Sequence, residues 1–278
     1  MKLSYAQDIT PKLVADLIRP REESSHKGTY GHALLIAGSK GKMGAAILAA
    51  KACLRTGAGL LTVSVPEEFS SVIYSSVPEA MLVVREQSHI EWDSYKSIGI
   101  GPGMGIDEKP GKLLKTVLIS FKRPLLIDAD ALTLLSKNKE WLSLIPPGSI
   151  LTPHPKEFDR LFGDADNDLE RAEKAITLSK EYPFLIVLKG HHTLTTFEGK
   201  GWYNNTGNAG LAKGGSGDIL TGMLTALLAQ QYKPLDAALI GVHLHGLAAD
   251  ISLNQQSMES MLATDVISNI GAAFKHLS

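Results

Sequence analysis

From about residue 32 to about residue 190 the sequence alternates short, unbroken aliphatic runs with longer amphipathic stretches, a rhythm that restricts the chain to strand–helix–strand units. Strands are expected at His32 to Ala37, Leu60 to Val65, Met81 to Val84, Ile98 to Ile100, Leu125 to Asp128, Ser149 to Leu151 and Leu185 to Lys189. Their near-continuous apolar character suits a parallel sheet covered on both faces. Helices are expected at Gly44 to Arg55, Lys112 to Phe121, Ala131 to Ser136, Lys156 to Phe162 and Leu169 to Lys180, giving crossovers long enough to join parallel neighbours. After Lys189 the pattern changes. His192 to Thr196 and Gly201 to Tyr203 flank a Glu198-Gly199-Lys200-Gly201 turn and read as an antiparallel hairpin. The tail reads as helical: Asp218 to Leu228, Pro234 to about Leu253, and Asp265 to Lys275 with Thr264 as N-cap. No repeat, low-complexity tract or linker breaks this order, so residues 1–278 are expected to form a single domain.

Lys and Arg number 28 against 29 Asp and Glu, a formal net charge of −1 with no dense basic block. The electrostatic footprint of nucleic-acid or anionic-membrane binding is therefore missing. One cysteine, Cys53, makes neither an intramolecular disulfide nor a cysteine-rich metal site, and a cytoplasmic location is expected. Its setting, AAILAAKACL, predicts a small buried thiol. Asp8 and Asp16 interrupt the N-terminal stretch, and no window approaches the roughly 18 uncharged apolar residues of a span, so neither a signal peptide nor a membrane helix is expected.

Polar, glycine-rich segments cluster at the C-terminal ends of the expected strands, where open α/β sheets place ligands. They are AGSKGKMG (Ala37 to Gly44), GPGMG (Gly101 to Gly105), DADAL (Asp128 to Leu132), LTPHPKE (Leu151 to Glu157) and KGHHT (Lys189 to Thr193). A sixth, GNAGLAKGGSGD (Gly207 to Asp218), opens a helix. There Gly214, Gly215 and Gly217 remove Cβ atoms at a turn, and a helix starting near Ser216 would aim unpaired N–H groups at a phosphate or oxyanion. Asp218 inside that cradle reads either as a base for a nucleophile or as an acid favoured in a first helical turn. The spacing in AGSKGKMG is not the G-x-G-x-x-G of a dinucleotide fingerprint, and no G-x-x-x-x-G-K-[ST] occurs, which disfavours Rossmann dehydrogenases and P-loop NTPases. DADAL and Glu157 bring hard oxygen ligands suited to Mg²⁺ shared with phosphates, while Asp130 alternatively caps the helix that follows. Pro153 and Pro155 stiffen His154 as a positioned contact. Lys189 stands where it could neutralise phosphate. His191 and His192 lack the spaced partners of a zinc site, and His243 with His245 reads as structural.

In this order, AGS, GPG, DADAL, TPHPKE, KG-x-x-T and GG-S-GD over about residues 27 to 275 resemble the ADP-dependent NAD(P)H-hydrate dehydratases of the ribokinase-like superfamily. The resemblance implies a three-layer α/β/α sandwich around a mostly parallel central sheet. It implies ADP-dependent dehydration of the S-epimer of hydrated NADH or NADPH, restoring NAD(P)H with release of AMP and phosphate. By the same resemblance Asp218 is the base, with the amides of Gly215, Ser216 and Gly217 as the anion hole. Ala37, Gly103, His154 and Asp218 would contact the hydrated dinucleotide. Lys189, Gly190, His191, His192, Thr193 and Gly217 would hold the adenine nucleotide. ADP is then a co-substrate and Mg²⁺ a cofactor, with Asp130 and Glu157 as candidates for its carboxylate surroundings, directly or through water. Relatives often carry a small uncharged residue where this chain has Lys213, read here as touching phosphate or pointing to solvent. Many also carry an epimerase domain; the short stretch before Lys27 does not accommodate one, so a separate epimerase is expected. A homo-oligomer, with a tetramer as one form, is expected from the family. Two other readings share the same site residues: a ribokinase-like kinase for a vitamin-precursor alcohol, and a non-catalytic adenine-nucleotide sensor, for which a base at Asp218 has no use.

Overall fold

The computed structural model describes residues 2–85 and 90–277. Its strands are β1 (Gln7–Asp8), β2 (His32–Ile36), β3 (Leu60–Val65), β4 (Met81–Val84), β5 (Ser97–Ile100), β6 (Leu125–Ile127), β7 (Ile150–Leu151), β8 (Leu185–Leu188), β9 (Leu194–Phe197) and β10 (Lys200–Tyr203). The helices are α1 (Pro11–Leu17), α2 (Met43–Arg55), α3 (Ser70–Ser76), α4 (Glu108–Ser120), α5 (Ala129–Lys137), α6 (Pro155–Phe162), α7 (Asp168–Glu181), α8 (Ser216–Ala229), α9 (Pro234–Ser252) and α10 (Ala263–Leu277).

The strands form one sheet in the order β1-β10-β9-β8-β7-β6-β5-β2-β3-β4. All pairings are parallel except β8 with β9 and β9 with β10, the expected hairpin. Alternation along β2 shows why both faces are covered: Leu34 and Ile36 pack with α4 to α7, Ala33 and Leu35 with α2 and α3. On that second face, α1, α8, α9 and α10 complete the layer over Leu126, Ile150, Leu185 and Val187. The result is the expected three-layer α/β/α sandwich.

Strand order reverses between β5 and β2, because the chain runs outward from β2 through β3 to β4 and then returns to start β5 on the other side of β2. Such a switch point opens a crevice at the strand C-termini. The AGSKGKMG and GPGMG turns sit on its two lips, joined where Gly38 N–H donates to Pro102 O at 2.8 Å.

Three features differ from the sequence-based expectation. β1 and α1 lie outside it, since Gln7 and Asp8 form no apolar run; β1 is fixed from a distance by Ile9 N–H to Tyr203 O (2.8 Å) and by Trp202 Nε1–H to Gln7 Oε1 (3.0 Å). α3, SSVIYSS, buries only Ile73 and shows little periodicity. Thr264 is not an N-cap: α10 begins before it, and Asp265 closes the turn by accepting Leu262 N–H at 2.8 Å.

Candidate active site

Helix α8 is almost wholly buried beyond its first turn, held between the sheet, α2 and α9. Gly222 permits the close approach to α2, since a Cβ there would lie 2.1 Å from Ala49 O. At its N-terminus Gly215 adopts φ +97°, a left-handed conformation in which glycine carries no side-chain penalty. No side chain caps the helix, which leaves first-turn N–H groups without a side-chain partner where Gly215, Ser216 and Gly217 border two cavities.

Asp218 stands in this turn, mostly buried. Its carboxyl is pushed up to about 6, first by burial, then by the neighbouring Asp128 carboxylate with a further contribution from Asp130, while Lys189 opposes the shift. Asp128, at the end of β6, is 2% exposed and fully engaged: Lys189 Nζ donates to Oδ1 and Thr221 Oγ1 to Oδ2, each at 2.8 Å. Thr221 lies one helical turn beyond Asp218, so Asp128 ties α8 and the Lys189 ammonium to the same strand end. The next residue, Ala129, holds φ +50°, an unusual conformation for a residue with a Cβ. Asp130 therefore leaves the turn toward the crevice, where its Oδ2 accepts Gly105 N–H at 2.9 Å and pairs with Lys42 Nζ at 3.1 Å. It occupies the first turn of α5 and is not the cap of that helix.

Two cavities meet at Asp218. The larger, about 800 Å³, runs between the Lys189–Thr193 turn, the 204–214 loop and α9. The smaller, about 440 Å³, lies at the switch point between Lys42, Gly44, Gly103 and Asp130. Lys189, Gly190, His191, Thr193 and Gly217 line the larger one; the His192 ring instead packs on His191 with centroids 4.3 Å apart. Gly103 and Asp218 line the smaller cavity and His154 the larger, while Ala37 is buried at the end of β2, its carbonyl accepting from Arg85 Nη2 at 2.7 Å. His154 and Glu157 form a reciprocal cap on α6: His154 N–H donates to Glu157 Oε2 (2.9 Å) and Glu157 N–H to His154 Nδ1 (3.3 Å). Burial holds the His154 imidazole below its ordinary range, against the pull of Glu157. The structure thus does not bring Asp130 and Glu157 onto one cavity, and among the described residues no group of three or more His, Cys, Asp or Glu forms a metal cluster.

Lys213, expected to touch phosphate or point to solvent, is exposed at the edge of the larger cavity and donates to Glu259 O and, at 2.9 Å, to Met261 O. It staples the glycine turn to the segment before α10. Cys53 is buried and its thiol pushed up by desolvation, as an inert thiol should be. His245, expected to be structural, lines the larger cavity with Nε2 3.4 Å from Ser216 Oγ. Asp250 is a further residue that sequence reasoning missed: it accepts Gly207 N–H (2.8 Å) and Asn208 Nδ2 (3.0 Å), fixing the cavity wall to α9. The only local signal for either was a polar residue on an otherwise apolar helix.

A family model described as NAD(P)H-hydrate dehydratase matches residues 33–271. The ADP-dependent (S)-NAD(P)H-hydrate dehydratase of Bacillus subtilis is 36% identical, covering 96% of this chain and 98% of its own length; that of Listeria monocytogenes is 32% identical over 97% of each. The bifunctional NAD(P)H-hydrate repair enzyme of Vibrio cholerae is 36% identical over 96% of this chain, which spans 55% of that longer protein. Among solved structures, the B. subtilis ADP/ATP-dependent NAD(P)H-hydrate dehydratase co-crystallised with ATP/Mg²⁺ superposes with a TM-score of 0.88 at 34% identity, over 99% of this chain and 100% of that one. A hydroxyethylthiazole kinase from Pyrococcus horikoshii, at 14% identity and a TM-score of 0.62, shares the fold alone. A family model that matches most of the chain, relatives matched along nearly their whole length and a superposition that covers both chains agree with the fold and its switch-point crevice: the protein belongs to the NAD(P)H-hydrate dehydratase family.

Proposed function

We propose that the chain uses ADP to dehydrate the S-epimer of hydrated NADH or NADPH, returning NAD(P)H with AMP and phosphate. The observation that carries this reading is the position of Asp218, on the wall common to two cavities and beside uncapped helix amides. One cavity suits an adenine nucleotide held by Lys189, Gly190, His191, Thr193 and Gly217, with His192 behind them. The other suits the hydrated ring against Gly103; the remaining dinucleotide candidates lie apart from it, Ala37 wholly buried at the end of β2 and His154 on the wall of the first cavity.

A hydroxyl on the hydrated ring leaves poorly as hydroxide, since the conjugate acid, water, has a pKa of about 15.7. Phosphorylation removes that obstacle. Asp218 takes the hydroxyl proton as the oxygen attacks the terminal phosphorus of ADP, and AMP departs. The amides of Gly215, Ser216 and Gly217, with the nearby Lys189 ammonium, hold the spreading phosphoryl charge. The bond between the ring carbon and the phosphorylated oxygen then breaks as the ring nitrogen's lone pair moves in, phosphate leaves with the bonding electrons, and the adjacent ring carbon loses a proton to form the double bond and return the pair to nitrogen. Mg²⁺ would supply charge neutralisation on the ADP phosphates. The donor chemistry fits a hard cation bound through water: both oxygens of Asp128 are taken, while Asp130 and Glu157 each use one oxygen on backbone N–H groups. Glu157, on the wall of the nucleotide cavity, would hold it through water, whereas Asp130 lies on the other cavity and is not placed to share that ion.

The reading includes action in the cytoplasm, a separate epimerase for the other hydrate epimer, and a homo-oligomer such as a tetramer. Among the described residues no helix is long and apolar enough to cross a membrane. The decisive experiment incubates the protein with ADP, Mg²⁺ and hydrated NADH while following absorbance of the reduced nicotinamide. Recovery of NADH with AMP and phosphate is expected; a lasting phosphoester without recovery would make the chain a kinase, and nucleotide binding without turnover a sensor.

A further inference from the structure

His245 is 9% exposed and borders the nucleotide cavity beside Ser216, Gly217 and Leu220. Its Nε2 lies 3.4 Å from the hydroxyl of Ser216, the first residue of α8. The two side chains come from different helices, α8 and α9, which are buried against each other, so their meeting is fixed by the fold and not by local chain geometry. Burial pushes the imidazole down to about 4, which leaves a neutral ring at physiological pH with one donor nitrogen and one acceptor nitrogen. Phosphoryl oxygens accept hydrogen bonds, and a serine hydroxyl has a single proton. If Ser216 directs that proton at a phosphoryl oxygen, its own oxygen becomes an acceptor in need of a donor from behind. His245 Nε2 is placed there.

We propose that His245 is a positioning residue: protonated on Nε2, it donates to Ser216 Oγ and turns the Ser216 O–H toward the transferring phosphoryl group. A side-chain donor thereby joins the amides of Gly215, Ser216 and Gly217. The inference rests on the phosphoryl-transfer reading above and adds to it the group that orients the serine.

The test compares Ser216→Ala, His245→Leu, His245→Gln and the double variant Ser216→Ala/His245→Leu for kcat and for ADP affinity by calorimetry. Each of Ser216→Ala and His245→Leu should lower kcat by about 10- to 100-fold, less than loss of a principal oxyanion donor, with ADP affinity little changed. The double variant should be no slower than the slower single one, because both remove the same interaction. His245→Gln, whose amide N–H also donates, should recover most of the rate. Independently of turnover, ¹⁵N spectra of the wild-type protein at neutral pH should show a neutral His245 with its proton on Nε2, shifting when AMP and aluminium fluoride are added together. Multiplicative losses, a Gln variant as slow as the Leu variant, or a proton on Nδ1 would overturn the inference. A wild-type protein that restores no NADH from hydrate and ADP would sink the underlying reading instead, and the spectra would still report on the histidine.

Discussion

Asp218 carries its charge against its surroundings, and that has two measurable consequences. As the proposed base it must be ionised, so kcat/KM should rise with pH through about 6 and level off above, while a profile flat from pH 5 to 8 would remove it from that role. Asp218→Asn should keep ADP binding yet lower turnover about 10²- to 10⁴-fold, the range for loss of a general base. The same residue should destabilise the fold. Its carboxyl is raised from an ordinary 3.8 to about 6, so the native state binds the proton more tightly than the unfolded chain does, and stability falls as pH rises across that interval. Removing the charge should therefore stabilise the protein above pH 6 by on the order of 2–3 kcal/mol and do little near pH 4, a reversal that thermal melts at the two pH values would reveal. Gly217 offers a second residue-scale check: a Cβ there would sit 3.5 Å from Lys189 Nζ and 3.7 Å from Asp128 Oδ2, ordinary contact distances. Gly217→Ala should fold normally, whereas the γ-carbons of Gly217→Val have no such room and should weaken ADP binding by about tenfold or more, ~1.4 kcal/mol. Calorimetry showing wild-type affinity for the Val variant would contradict this.

Among the elements, α8 matters most, because every part of the anion site depends on how deeply it is driven into the molecule. Its contact with α2 leaves no space at Gly222, so Gly222→Ala must push the helices apart, at a cost of roughly 1–3 kcal/mol that a lowered Tm would register. A Tm equal to wild type would show that α2 and α8 adjust freely. How far such elements were legible follows from what makes them. β2, β6 and β8 are mostly aliphatic runs, and β3 and β5 are apolar stretches interrupted only by small Ser, Thr or Gly; all are buried on both faces, and their pattern locates them. The hairpin announced itself through Glu198 and Gly199, which both take positive φ in the turn. β1 is two exposed polar residues whose strand character exists only because β10 lies beside them. The candidate site divides the same way. Gly215 and Asp218 could be read locally, since a positive-φ glycine before a helix and an acid in its first turn are short-range chemistry. His245 and Asp250 could not: their meaning lies in loops and helices far off in sequence that α9 happens to face. The carbonyl partners of Lys213 were hidden for the same reason, lying at 259 and 261, remote in sequence.

At the scale of the whole molecule, the reversal of strand order and the burial of α8 together set the two cavities that the proposed reaction would use. The reversal opens the smaller cavity between the loops after β2 and β5; the larger one is walled by the loop after β8, the 204–214 loop and α9. Their common residue is Asp218. In the proposed reaction, two cavities of about 440 and 800 Å³ would let both substrates be present at once, the acceptor hydroxyl meeting the terminal phosphate of ADP at that wall. Direct transfer then needs no phosphorylated enzyme, and the amides at the start of α8 can stabilise a migrating phosphoryl group without ever forming a bond to it. Initial rates measured over a grid of ADP and hydrate concentrations should accordingly give intersecting double-reciprocal lines. Labelled AMP should not exchange into ADP unless the hydrate is present. Parallel lines, with exchange in the absence of hydrate, would mean that a side chain such as Ser216 or His245 is phosphorylated first, and the two cavities would then serve substrates in turn.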